Sequence, residues 1–81
     1  MPDKMNAKRR TEIRKAIGLL SEARSILETA RDDEQDAFDN MPEGLQSSER
    51  GEACQEAGDK LAEACDTIEN TESDLDEIAG G

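Results

Sequence analysis

Two thiols and a dense run of carboxylates are the side chains of this chain that could do chemistry. Cys54 and Cys65 stand eleven residues apart, which on one helix is roughly 16 Å along the axis at 1.5 Å per residue. A disulfide needs Cα atoms within about 7 Å, so the two cannot bridge each other along a helix. Read as core positions they are small hydrophobes; an intermolecular disulfide is the alternative. Two thiols without other soft ligands do not suggest zinc. The run Asp32-Asp33-Glu34-Gln35-Asp36 superficially resembles a calcium loop, but it lacks the glycine of the sharp turn and reads as helix. The chain contains no histidine, which removes the usual general base, the commonest metal ligand and any Ser-His or Cys-His pair. Its glycines are scattered and form no phosphate cradle. The residues therefore imply a binder with no cofactor, no metal and no catalytic group, not an enzyme.

The elements that would position these residues are two long helices. From about residue 6 to 38 there is no proline and one glycine. Ile13, Ile17, Leu20, Leu27 and Phe38 recur at the three-and-four spacing of a helix face, widened by Ala16, Ala23, Ile26, Ala30 and Ala37. Arg24, Arg31 and Glu34 fall on the same seam, where long stems can lie along apolar surface with their heads in water. Asn6 is the expected N-cap, with Thr11 as second choice. A bend at 39–47 follows: Pro42 disfavours helix at Met41, Gly44 would accept a left-handed turn, and Asn40, Ser47 and Ser48 can satisfy free amides. Met41 and Leu45 are expected to plug the end of the helix pair against Phe38. From about 48 to 79 a heptad seam counts out as Cys54, Gly58, Leu61, Cys65, Ile68, Glu72, Leu75 and Ala79. Gly51 and Gly58 would let this helix approach its neighbour closely.

The expected fold is an all-α antiparallel helical hairpin forming one domain over 1–81. Five Ile, six Leu, three Met and one Phe are a small supply for a self-sufficient core. Homodimerisation into a coiled coil or four-helix bundle is the simplest remedy, through a self-association seam of Ile17, Leu20, Leu27, Leu61, Cys65, Ile68 and Leu75. No stretch approaches the roughly 20 apolar residues of a membrane span, and the start lacks the apolar block of a signal peptide. The expected location is the cytoplasm, with reduced thiols and no membrane contact.

Charge is laid unevenly along these helices. Residues 1–31 carry eight basic and four acidic side chains, and residues 32–81 carry two and seventeen. Folding back would set Lys8, Arg9, Arg10, Arg14 and Lys15 near Glu69, Glu72, Asp74, Asp76 and Glu77, as exposed pairs worth about 0–1 kcal/mol each. Residues 32–56 have no such partner and hold a local net charge of −8. The candidate binding residues are therefore Asp32, Asp33, Asp36, Asp39, Glu43, Glu49 and Glu52. Their expected partner is a protein with a basic surface. Direct nucleic-acid binding by Lys4 and the basic start is disfavoured, because the chain as a whole repels phosphate and has one aromatic residue.

The segment Ala37-Phe38-Asp39-Asn40-Met41-Pro42-Glu43-Gly44-Leu45-Gln46-Ser47-Ser48-Glu49-Arg50-Gly51-Glu52-Ala53 resembles one found in small phage and prophage proteins that pair a charged helix with a Glu- and Ala-rich one. The likeness is specific in this segment and loose elsewhere; Gly58 and the two cysteines depart from it. It implies a mobile-element origin, a bacterial host and a hairpin fold, and carries no catalytic residue. By analogy with small acidic phage inhibitors, it implies an inhibitor of a host defence or nucleic-acid-handling protein that acts as a nucleic-acid mimic. The alternative is a structural or assembly protein that self-associates, or binds a phage component, through its apolar seam.

Overall fold

The computed structural model describes residues 6–80; Lys4 and Gly81 lie outside them. Three helices follow in order: α1, Ala7–Asp39; α2, Glu43–Gln46; and α3, Glu49–Gly80. α1 and α3 pack lengthwise, antiparallel, into a rod 66 × 15 × 12 Å. This is the all-α hairpin that the spacing predicts, with both long helices beginning and ending one residue later than expected.

Local chemistry fixes the ends. Asn6 stands in extended conformation before α1, and its side-chain oxygen accepts from the Arg9 amide at 2.9 Å, satisfying a free donor of the first turn. Thr11 lies inside the helix and donates to the Ala7 carbonyl. At the other end the Asn40 amide donates to the Asp36 carbonyl at 3.0 Å. Pro42 then stops α1 from continuing, its own extended backbone (ψ 150°) leading into the single turn of α2. The Gln46 side-chain amide donates from Nε2 to the Phe38 carbonyl at 3.0 Å and ties this turn to α1. Ser48 opens α3: its carbonyl accepts from the Glu52 amide at 2.9 Å and its hydroxyl from the Gly51 amide at 3.5 Å.

Three expectations for the bend are corrected. Gly44 sits in the helical turn, and none of the described glycines has positive φ. Leu45 is 42 % exposed rather than plugging the rod, while Met41 and Phe38 are half-buried. The glycine that matters here is Gly51, which is buried because a Cβ on it would overlap the carbonyl oxygens of Leu45 and Gln46. Its smallness serves the bend, not the approach of α3 to α1.

Along the rod the least exposed residues follow a heptad on both helices. On α1 they are Arg10, Ile13, Ile17, Leu20, Arg24, Leu27, Arg31, Glu34 and Phe38; on α3 they are Gly51, Cys54, Gly58, Leu61, Cys65, Ile68, Glu72, Leu75 and Ala79. Steps of three and four residues keep one stripe facing the partner helix. The α3 seam is the one counted in the sequence. Among the described residues only Gly51, Cys65 and Ala79 are buried, and the rest of the seam is half-buried. Two helices side by side form a single layer with no interior. The surface is 6023 Å², against roughly 4,800 Å² for a compact monomer of this 8.9 kDa mass.

The residues that widen the α1 stripe do not all turn inward. Ala23 and Ala30 are half-buried, but Ala16 and Ala37 are exposed and Ile26 is 69 % exposed. Leu27 occupies the seam, and its neighbour Ile26 is turned about 100° away from it on a 3.6-residue helix.

Candidate binding surface

All seven expected binding carboxylates, Asp32, Asp33, Asp36, Asp39, Glu43, Glu49 and Glu52, are exposed. The bend gathers them at one end of the rod: the first four on the last turns of α1, Glu43 on α2, Glu49 and Glu52 on the first turn of α3. Two carry local contacts. Asp32 pairs with Arg31 at 3.2 Å, and Asp39 accepts from the Gln35 amide at 3.0 Å. The cations beside them are Arg31 and Arg50.

Sequence reasoning stopped too early along α3. Glu49, Glu52, Glu56, Asp59, Glu63 and Asp66 repeat at steps of three, four, three, four and three, all exposed and all opposite the seam. They form a ridge of carboxylates, one per roughly 5 Å of axis at 1.5 Å per residue. The ridge runs on from the bend end without a break. The signal was present in the sequence as the heptad offset of these residues from Cys54, Leu61 and Cys65. Lys60 leans on the ridge, pairing with Glu56 at 3.2 Å.

The basic start behaves differently from expectation. Arg14 donates to the Ala79 carbonyl at 3.4 Å, so Lys8, Arg9 and Arg10 lie at the open end of the hairpin. Among the described residues none of Lys8, Arg9, Arg10, Arg14 and Lys15 forms an ion pair with Glu69, Glu72, Asp74, Asp76 or Glu77. Glu72 is taken instead by Arg24, at 2.7 Å from Nε to Oε2 and 3.4 Å from Nη2 to Oε1. The register decides this, because Arg24 and Glu72 both occupy the seam.

The remaining polar seam residues are met in the same way. The Cys54 thiol reaches the Glu34 carboxylate at 3.0 Å and the Glu34 carbonyl at 3.2 Å. Its hydrogen bond to Glu34, and next its burial, push the Cys54 thiol above its ordinary pKa, which suppresses the reactive thiolate. Cys65 is buried against the Arg24 carbonyl at 3.9 Å. Beside Cys54 a cleft of about 270 Å³ opens at Gly58, lined by Arg31, Gln35, Phe38, Gln55, Asp59 and Ala62. The seam expected to serve self-association (Ile17, Leu20, Leu27, Leu61, Cys65, Ile68 and Leu75) is engaged within one chain, between α1 and α3.

No known protein family matches this chain, and no curated protein or solved structure does either. Among the described residues no group of His, Cys, Asp and Glu is arranged to hold a metal ion, and no helix is long and apolar enough to cross a membrane.

Proposed function

We propose that this protein is a non-enzymatic binding rod that presents the carboxylates of its bend end and of the α3 ridge to a basic groove on a nucleic-acid-handling protein, and so inhibits it. The observation that carries the reading is the unbroken line of exposed carboxylates from Asp32 through the bend to Asp66. Charge on a rigid helix is already positioned, so little ordering entropy is lost on binding. Long-range attraction would speed association and weaken with salt. One carboxylate per roughly 5 Å is sparser than one duplex strand, which carries a phosphate per about 3.4 Å of axis. The second line of carboxylates, Asp32, Asp36 and Asp39, runs along the outer edge of α1 on the other side of the rod, so the two lines converge only around the bend.

The resemblance of Ala37–Ala53 to phage and prophage segments supports a target inside a bacterial host, in the cytoplasm, and a nuclease-based defence as the process blocked. The test is the plating efficiency of a restricted phage on hosts that express the protein. Expression should raise it on at least one nuclease-defended host. A variant with Glu49, Glu52, Glu56, Asp59, Glu63 and Asp66 changed to their amides should lose the effect while keeping its helical circular dichroism. No protection across such hosts, or protection that survives neutralisation of the ridge, would overturn the reading.

A further inference from the structure

The seam does not use all the large apolar side chains of the rod. Leu19 is 58 % exposed, Ile26 69 % and Ile78 48 %. Leu19 and Ile26 are seven residues apart and stand on one line of α1 with Ala16, Ala23 and Ala30. In an antiparallel pair, residues offset to the same side of the two seams lie side by side, so this line shares a face with Ala57, Ala64 and Ile78 of α3. A shallow depression lined by Ala37, Met41, Ala53 and Ala57, with Glu34 and Arg50 at its edge, joins the two helices on that face. The opposite face carries the polar cleft beside Gln35, Gln55 and Asp59. One broad side of the rod is therefore apolar along the middle of α1, with charges toward its ends and on α3, and the other is polar.

We propose that the apolar side is the interface for a second copy of this chain, laid face to face and antiparallel about a two-fold axis that passes near Ala23 and Thr67. Three features select this occupant and this orientation. Leu19 and Ile26 lie four residues before and three after Ala23, so an axis just before Ala23 sets Leu19 against Ile26 of the partner subunit, and the reverse, as an isologous contact requires. Thr67 is level with Ala23, because it lies between Cys65, which reaches the Arg24 carbonyl, and Glu72, which the Arg24 guanidinium reaches. The same axis then sets Lys60 against Asp74 of the partner subunit, since both are seven residues from Thr67. It also lays the open end of one copy, with Arg9 on this face, over the acidic bend end of the other, at the cost of setting Glu12 level with Asp33 of the partner subunit. The parallel alternative would stack two bend ends, each with a net charge of −8 over residues 32–56. Where both helices run side by side, over the 32 residues of α3 or roughly 48 Å, the face is 15 Å wide and offers on the order of 700 Å² in projection, close to the roughly 800 Å² per partner of a stable complex.

The proposal stands apart from the acidic-groove reading, and its experiment leaves every carboxylate of the α3 ridge in place, although Lys60 pairs with Glu56. Sedimentation equilibrium of the full chain over micromolar concentrations should give twice the 8.9 kDa mass. Ile26→Glu, at a site exposed in the single hairpin, should raise the dimer Kd by on the order of a hundredfold without loss of helicity. Lys60→Asp should weaken the dimer by roughly three- to tenfold, and Lys60→Asp with Asp74→Lys should recover it. Within one chain those two residues are fourteen apart, roughly 21 Å along α3, and cannot compensate each other. A monomer at every concentration, or a dimer indifferent to Ile26→Glu, overturns the interface. A charge swap that fails to recover the dimer overturns the axis.

Discussion

Arg24 and Glu72 meet across the seam through two contacts, 2.7 Å from Nε to Oε2 and 3.4 Å from Nη2 to Oε1, at heptad positions where apolar residues would pack better. Glu28 adds a third contact at 3.5 Å from the same helix. The hydrogen bond to Glu72 raises the Arg24 pKa, against the opposing effect of burial. A shielded ion pair fixes which residues face each other more than it stabilises the fold, because desolvation offsets most of the attraction. The pair holds at mid-rod the register that the bend sets through the Gln46 side chain and Phe38 and that Cys54 and Glu34 continue.

Glu72→Leu alone should therefore lower the melting temperature, since it strands the Arg24 guanidinium in the seam. Arg24→Leu combined with Glu72→Leu should restore or exceed the parent value while broadening the population of oligomers. Thermal melts by circular dichroism and sedimentation read the two effects. A double variant no more stable than Glu72→Leu would show that the pair does not act as a unit.

The two seam glycines should respond in opposite directions. A Cβ at Gly58 meets open space, so Gly58→Ala should gain about 1 kcal/mol of helix propensity, a rise of roughly 4–8 °C for a domain of this size. At Gly51 the added Cβ collides with backbone carbonyls of the bend, and Gly51→Ala should cost about 1–3 kcal/mol. Chemical denaturation of both variants checks the signs.

Much of this was legible in the sequence, and what was missed has physical causes. The α3 seam from Cys54 to Ala79 and the Asn6 cap follow from spacing and capping chemistry alone. The α1 stripe was read too broadly, because Ile26 beside Leu27 fits either of two apolar lines on one helix. Which line faces α3 is set by the partner's register, and that is a tertiary property. The turn at Glu43–Gln46 was hidden by Pro42 and Gly44, which signal a break equally well when a short helix follows. The candidate carboxylates are exposed around the bend, and finding the ridge through Glu56, Asp59, Glu63 and Asp66 requires reading the heptad on the solvent side as well.

Cys54 should alkylate slowly and late in pH. Its neutral thiol donates to Glu34 at 3.0 Å, and that hydrogen bond raises its pKa from the ordinary thiol value. A raised folded-state pKa means a stabilising contribution present below the unfolded thiol pKa and lost as pH rises through the folded one. Glu34→Gln removes the charge and should shift the midpoint of iodoacetamide labelling at Cys54 to lower pH. Mass spectrometry of digests separates this thiol from buried Cys65. Equal midpoints in the two proteins would rule out the Glu34 contact.

The last turns of α1 set stability against the proposed use. Asp36 and Asp39 stand at the negative end of the helix, and no basic residue occupies its last turn. Carboxylates there oppose the helix dipole by about 0.3–1 kcal/mol each, and Asp32 and Asp33 add mutual repulsion. Asp36→Lys with Asp39→Lys should therefore raise the melting temperature by several degrees, most at low salt, where screening is weakest. If the bend end is a binding surface, the same variant should lose protection of the restricted phage although it is the more stable protein. Loss of function through unfolding would move both quantities down together, so opposite movement isolates a surface role. A variant that is stabilised and still protects would place recognition on the α3 ridge alone, with the carboxylates of α1 serving only to keep the rod in solution.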